Sequence, residues 1–134
     1  MGLFEGLSKD RFREFLGAEI LEISEGYAKV RGSVRKEYLN FHGTAHGSYI
    51  MALADFAFAL AANSDNIRRA AVSIRIDFYK PAYEGDELIA EAKIIHGRKL
   101  VFCELKVMRG DNIIAKGEAI AYGKEFFKPL SEYS

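Results

Sequence analysis

The spacing of apolar and polar residues along the chain changes period three times. From Leu7 to Leu16, apolar side chains fall at Leu7, Phe12, Phe15 and Leu16, with Lys9, Asp10, Arg11 and Arg13 between them. With Ser8 to cap it and Gly17 to end it, this spacing predicts a short amphipathic helix lying on something larger. The period then drops to two. Glu19 to Ile23 and Tyr27 to Val34 alternate, with Ala28, Val30, Gly32 and Val34 on one side and Lys29, Arg31 and Ser33 on the other, and Glu25-Gly26 turns between them. That is a hairpin. A loop from Glu37 to Ala45 leads into the most apolar stretch, Tyr49 to Ala62, interrupted only by Asp55, and Asn63-Ser64-Asp65-Asn66 ends it. Alternation resumes with Val72, Ile74, Ile76 and Phe78 against Ser73, Arg75, Asp77 and Tyr79, until Pro81 stops it. Three more strands are predicted: Leu88 to Ile95, Leu100 to Met108, and Ile113 to about Tyr122. Their turns are Glu84-Gly85-Asp86, Gly97-Arg98 and Gly110-Asp111-Asn112. Arg109-Gly110-Asp111 spells a cell-adhesion tripeptide, but its Gly-Asp-Asn setting reads as a hairpin turn.

A helix apolar on nearly every side has to be buried all round. A sheet of about six strands curved around it achieves that and belongs to the α+β class. A doubly wound sheet would need repeated helix–strand alternation, which this pattern lacks. The 134 residues suit one domain, 1–134, with a core of its own.

Composition narrows the function classes. Lys+Arg and Asp+Glu are both 19, so the formal net charge is zero and there is no basic excess for nucleic acid. The lone Cys103 can form neither an intrachain disulfide nor a cysteine-based zinc site, which fits a reducing compartment. Its alternation with Leu105 and Val107 makes it a small buried hydrophobe rather than a nucleophile. The N-terminus lacks the basic start and long apolar core of a signal peptide, and Gly6 stands where a myristoylation pattern wants Ser or Thr. The longest apolar run, about 14 residues, is too short to span a membrane. The expectation is a cytoplasmic protein with no membrane or nucleic-acid partner.

The chemistry concentrates between Asn40 and Asn63. Asn40, then His46-Gly47, then Leu53-Ala54-Asp55 form a pattern that resembles the hotdog-fold acyl-CoA thioesterases, in particular the phenylacetate-pathway (PaaI-like) branch. The order of elements matches over nearly the whole chain. The later stretch DFYKPAYEGDELIAEAKIIHGRKLVFCELKV is similar to that family's strands, with Lys80-Pro81 and Gly85-Asp86 at the expected turns. Where the family usually has His-Gly-Gly, this chain has His46-Gly47-Ser48, which keeps the key glycine and alters how closely a substrate approaches. The resemblance implies a hotdog fold, hydrolysis of an aryl or aliphatic acyl-CoA, and no cofactor. It also implies two composite sites per homodimer, with dimers pairing into a homotetramer.

Thioester hydrolysis needs a donor for the developing oxyanion and a carboxylate to act as base or nucleophile. Gly47, at a helix N-terminus and without a side chain, lets a carbonyl approach its N–H; the plainer reading is a glycine easing the loop–helix junction. Asp55 is either the base or nucleophile that the resemblance implies, or a buried structural acid with a partner. The two are eight residues apart on one helix, roughly 12 Å along its axis, too far to flank one carbonyl. If both act on one thioester they come from different subunits, as in a two-fold dimer with antiparallel helices. The family resemblance further gives Asn40 a part in orienting the thioester or the water, against its ordinary role as a turn former. It gives Ser73 a hold on the attacking water. His46 holds the loop or bonds the thioester carbonyl. Lys80, Arg98 and Lys99 stand at strand ends as partners for CoA phosphates, or as solvated turn charges. His42 and His46 share the spacing of helical metal ligands but sit in a glycine loop with no third ligand, so no metal is expected. The alternative is a hotdog module that binds an acyl-CoA or another apolar carboxylate without turning it over. A hydratase of the same fold would want a different acid–histidine motif.

Overall fold

The computed structural model describes residues 9–123. Helix α1 (Arg11–Leu16) is followed by strands β1 (Glu19–Ser24) and β2 (Tyr27–Ser33) and a single 3-10 turn, Lys36–Tyr38. Helix α2 (Gly47–Ala62) comes next, then β3 (Arg69–Phe78), β4 (Glu87–Gly97), β5 (Leu100–Arg109) and β6 (Asn112–Gly123). The predicted order of elements is therefore observed, and the six strands form one antiparallel sheet in the order β1-β2-β4-β5-β6-β3. It wraps α2 as a hotdog fold.

Side-chain period explains the packing. Ala28 and Val30 of β2, Leu88, Ala90 and Ala92 of β4, and Val101, Cys103, Leu105 and Val107 of β5 all point inward. They meet Leu53, Phe58 and Leu60 of α2 in one apolar cluster. Gly32 is the one point where β2 needs no side chain at all. A Cβ there would lie 2.5 Å from Tyr49 Oη and 2.8 Å from Leu53 Cδ2, so glycine allows the helix to lie close against the strand.

Several details differ from the sequence expectation. The helix at the start is capped by Asp10, whose Oδ1 accepts a hydrogen bond from Arg13 N at 3.1 Å; the expected cap, Ser8, lies outside the described residues, as does Leu7. Gly17 ends that helix at φ 65° as predicted. Strand β3 begins at Arg69, before the alternation becomes visible, because Arg69 is buried and tied down. Its guanidinium donates to Ala62 O, Asp65 and Arg98 O, locking the end of α2 to the β4–β5 turn. A bulge then falls at Val72: Ala71 pairs with Ala121 and Ser73 with Ile120, leaving Val72 unpaired. Arg109 pairs with Asn112 across the turn at Gly110, and its guanidinium donates to Pro81 O at 2.7 Å, so the adhesion tripeptide is a hairpin. No helix among the described residues is long and apolar enough to cross a membrane.

The main correction concerns α2, which is not enclosed all round. Ser48 and Asp55 are exposed and Met51, Ala52 and Ala59 are half-buried. Their spacing puts them on one stripe of the helix. The sheet covers the rest. The stripe was hidden in the sequence because its alanines and methionine are as apolar as the buried positions beside them.

Candidate active site

The loop before α2 is built by its own polar groups. Asn40 N donates to Thr44 O at 2.8 Å, and Asn40 Oδ1 accepts from the amides of His42 and Thr44 at 2.9 and 3.1 Å. Its Nδ2 donates to Thr44 Oγ1 at 3.0 Å. Gly43 takes φ 85° at the tip. This is an Asx-type closure, and it commits most of the Asn40 side chain to holding the loop. Phe41 stands out from that loop, 92% exposed, with its ring 3.9 Å from that of His42. The chain leading into the helix is held from two directions: His46 N donates to Tyr38 O at 2.7 Å and Ala45 N to Ala82 O at 2.8 Å.

His46 is the N-cap of α2. Its Nδ1 accepts from Ser48 N at 3.0 Å, while its carbonyl accepts from Tyr49 N and Ile50 N. An imidazole that accepts at Nδ1 carries its proton at Nε2, so the exposed ring keeps one donor. The first-turn amides of Ser48, Tyr49 and Ile50 are thus satisfied. Gly47 N–H has no acceptor among the described residues, and it lies at the positive end of a sixteen-residue helix. Replacing the cap should cost about 1 kcal/mol: His46→Ala is expected to melt a few degrees lower, and His46→Asn, which caps by the same bond, to recover most of it. Thermal denaturation followed by circular dichroism checks this.

Asp55 lies two turns further along, in the middle of the open stripe. Surrounding protein still desolvates its carboxyl, and this burial, with the negative charge of Asp10 as a smaller cause, raises its pKa above the ordinary carboxylate value. Asp10 had no place in the sequence reading of the site; only the packing of α1 beside α2 brings its charge within range. Phe78 was likewise read only as a strand residue, yet its ring tip lies over Gly47.

The remaining candidates are spread out. Ser73 is exposed, paired with Ile120 just after the bulge, on the side of β3 opposite Ile74, which faces the helix with its partner Ala119. Lys80 follows β3; its Nζ donates to Asn112 Oδ1 at 3.3 Å. Arg98 and Lys99 lie in the β4–β5 turn, where their carbonyls accept from Arg69 Nε and Gly123 N. That turn is joined through Arg69 to the C-terminal end of α2, roughly 24 Å of helix away from Gly47. One chain therefore does not gather all three cations around one ligand. Cys103 is buried, which pushes its thiol up to about 11. No group of three or more His, Cys, Asp or Glu with metal-binding geometry occurs among the described residues.

A family model described as the thioesterase superfamily matches residues 42–116. A candidate esterase of Archaeoglobus fulgidus is 42% identical over 121 residues, 87% of this chain and 79% of the relative. The acyl-coenzyme A thioesterase PaaI of Escherichia coli is 39% identical over 90 residues, 67% of this chain and 64% of the relative. The solved structure of Escherichia coli PaaI matches with a TM-score of 0.87 at 29% identity, covering 92% of this chain and 91% of that one. A mutant of the phenylacetic acid degradation protein PaaI from Thermus thermophilus matches with a TM-score of 0.83 at 34% identity, covering 86% and 100%.

Proposed function

Because this chain belongs to the thioesterase superfamily and is a PaaI-like thioester hydrolase, we propose that it cleaves acyl-CoA to the free acid and CoA at sites shared between two subunits. The observation that carries this reading is the unpartnered Gly47 N–H, left over after His46 has capped the helix. It is a donor already fixed in direction before any substrate arrives, which is what stabilising a developing oxyanion requires. The carboxylate is Asp55 of the partner subunit, since the one in the same chain is too far along the helix.

Two surfaces support the pairing. The open stripe of α2 carries Ser48, Ala52 and Ala59, with Met51, around Asp55, so a second helix can lie against it. The edge of β3 is unpaired in one chain and carries Val72, with Tyr79 just beyond its end, each more than half exposed. An antiparallel pair of α2 helices related by a two-fold axis sets each Asp55 opposite the other Gly47. Dimers then pair into a tetramer, as the family likeness implies.

In the reaction the thioester oxygen accepts from Gly47 N–H. Asp55 removes a proton from water as the water oxygen bonds to the carbonyl carbon, or bonds to that carbon itself to form an anhydride that water then opens. The carbon–sulfur bond breaks, and the CoA thiolate leaves and takes up a proton. His46 Nε2–H and the second Nδ2–H of Asn40 are further donors near the carbonyl, whereas Ser73, which faces away from α2, has no part in this site. Lys80 from one subunit and Arg98 and Lys99 from the other meet the CoA phosphates at opposite sides of the shared cleft. The test is a panel of aryl and aliphatic acyl-CoAs with detection of free thiol. Turnover of at least one class is expected; binding of acyl-CoA with no thiol released from any of them would contradict hydrolysis.

A further inference from the structure

Gly47 is covered from one side by an aromatic ring. A Cβ built on Gly47 would lie 3.3 Å from Phe78 Cζ and 3.6 Å from both Cε atoms, so the ring meets the glycine end-on, by its tip. The Phe78 backbone is firmly placed. It pairs with Ala115, and the next two amides, Tyr79 N and Lys80 N, both donate to Ile114 O at 2.8 and 3.2 Å. The helix end is equally firm, through the His46 cap and the bond from Ala45 N to Ala82 O. Between two fixed backbones, the ring is nevertheless 50% exposed. A core phenylalanine would be enclosed; this one presents half its surface beside an amide that has no acceptor.

We infer that Phe78 is a positioning residue: its ring closes one side of the approach to Gly47 N–H and so fixes the line along which a thioester carbonyl reaches that donor. The inference rests on Gly47 being the oxyanion donor. It also gives a second reason for glycine at this position. A methyl on Gly47 would displace the ring tip by a few tenths of an ångström, because 3.3 Å is tighter than ordinary contact. Glycine and ring then act as one unit, and damage to either misaligns the same carbonyl. Misplacement of that order is felt in kcat more than in KM, because alignment matters most as the oxyanion forms.

The experiment is a double-mutant cycle on kcat and KM with the best acyl-CoA of the panel. Phe78→Ala is expected to lower kcat about tenfold with KM changed by less than about threefold, and Phe78→Leu, which refills the wall, to recover most of the loss. Gly47→Ala alone is expected to cost about tenfold, and the double variant to cost little more than either single change instead of about a hundredfold. Multiplicative losses would overturn the inference, as would a loss confined to KM or no recovery in Phe78→Leu. A changed subunit number for Phe78→Ala on gel filtration would also overturn it, since the ring would then be an interface residue. An inactive wild type would instead remove the thioesterase reading on which the inference depends.

Discussion

Asp55→Asn is expected to lose about a hundredfold to ten-thousandfold in turnover while the protein becomes harder to melt. The two effects share one cause. Surrounding protein desolvates this carboxyl, and the charge of Asp10 lies within range, so its pKa in the folded chain is raised. A raised carboxylate pKa means that the folded chain holds the proton more readily than the unfolded one. The associated stability is fully present below the unfolded pKa and is lost as pH rises through the raised folded value. Once ionised, Asp55 is therefore a net cost to the fold, and asparagine removes it. On the proposed mechanism activity runs the other way with pH, because the ionised form would be the base or nucleophile. The acid limb of kcat/KM should fall at a higher pH than an ordinary aspartate would give. Asp10→Asn should move that limb toward lower pH, since one of the two causes of the shift is gone. Steady-state rates across pH, with melting temperatures for the same variants, check both halves.

Gly47→Pro is the second large effect, and it goes beyond the loss expected of Gly47→Ala because it also removes the N–H. Proline deletes the N–H, and at the first position of a helix it is well tolerated because that amide has no helical partner. The preceding residue suits it: His46 sits at φ −62° and ψ 138°, in the extended region that a residue before proline prefers. The ring of Phe78 must give slightly to admit the added carbons. Loss of one oxyanion donor is worth about a hundredfold to a thousandfold in kcat, and this is the drop expected, with far-ultraviolet circular dichroism unchanged. A Gly47→Pro protein with wild-type kcat would show that the amide is not the donor.

Much of this arrangement could be read along the chain, for identifiable reasons. The inward rows of β2, β4 and β5 alternate strictly, and side-chain period two is a direct consequence of strand geometry. The turns at Gly26, Gly85, Gly97 and Gly110 take positive φ, which glycine marks without help from distant residues. The spacing of Gly47 and Asp55 along one helix was enough to argue for a second subunit. What escaped is tertiary. The bulge at Val72 depends on the register with β6, and a strand read alone cannot reveal its partner's register. The open stripe on α2 is invisible because Ala52 and Ala59 differ in environment but not in type from Ala54 and Ala57. The loop-holding bonds of Asn40 to His42 and Thr44 depend on the folded turn and could not be read from the residue type alone. Asp10 and Phe78 reach the site from a different helix and the far end of a strand, distances of tens of residues that no local pattern spans.

The central claim is that one thioester is handled by Gly47 of one subunit and Asp55 of the other, and mixing two dead proteins tests it most directly. Asp55→Asn and Gly47→Pro are each nearly inactive when pure. Unfolded together in equal amounts and refolded, they form heterodimers in which one site has lost both groups and the other has kept both. Random pairing makes about half of the dimers mixed, each with one working site of two, so activity should return to about a quarter of wild type. A mixture that refolds into dimers yet stays as inactive as its components would contradict a site shared between subunits.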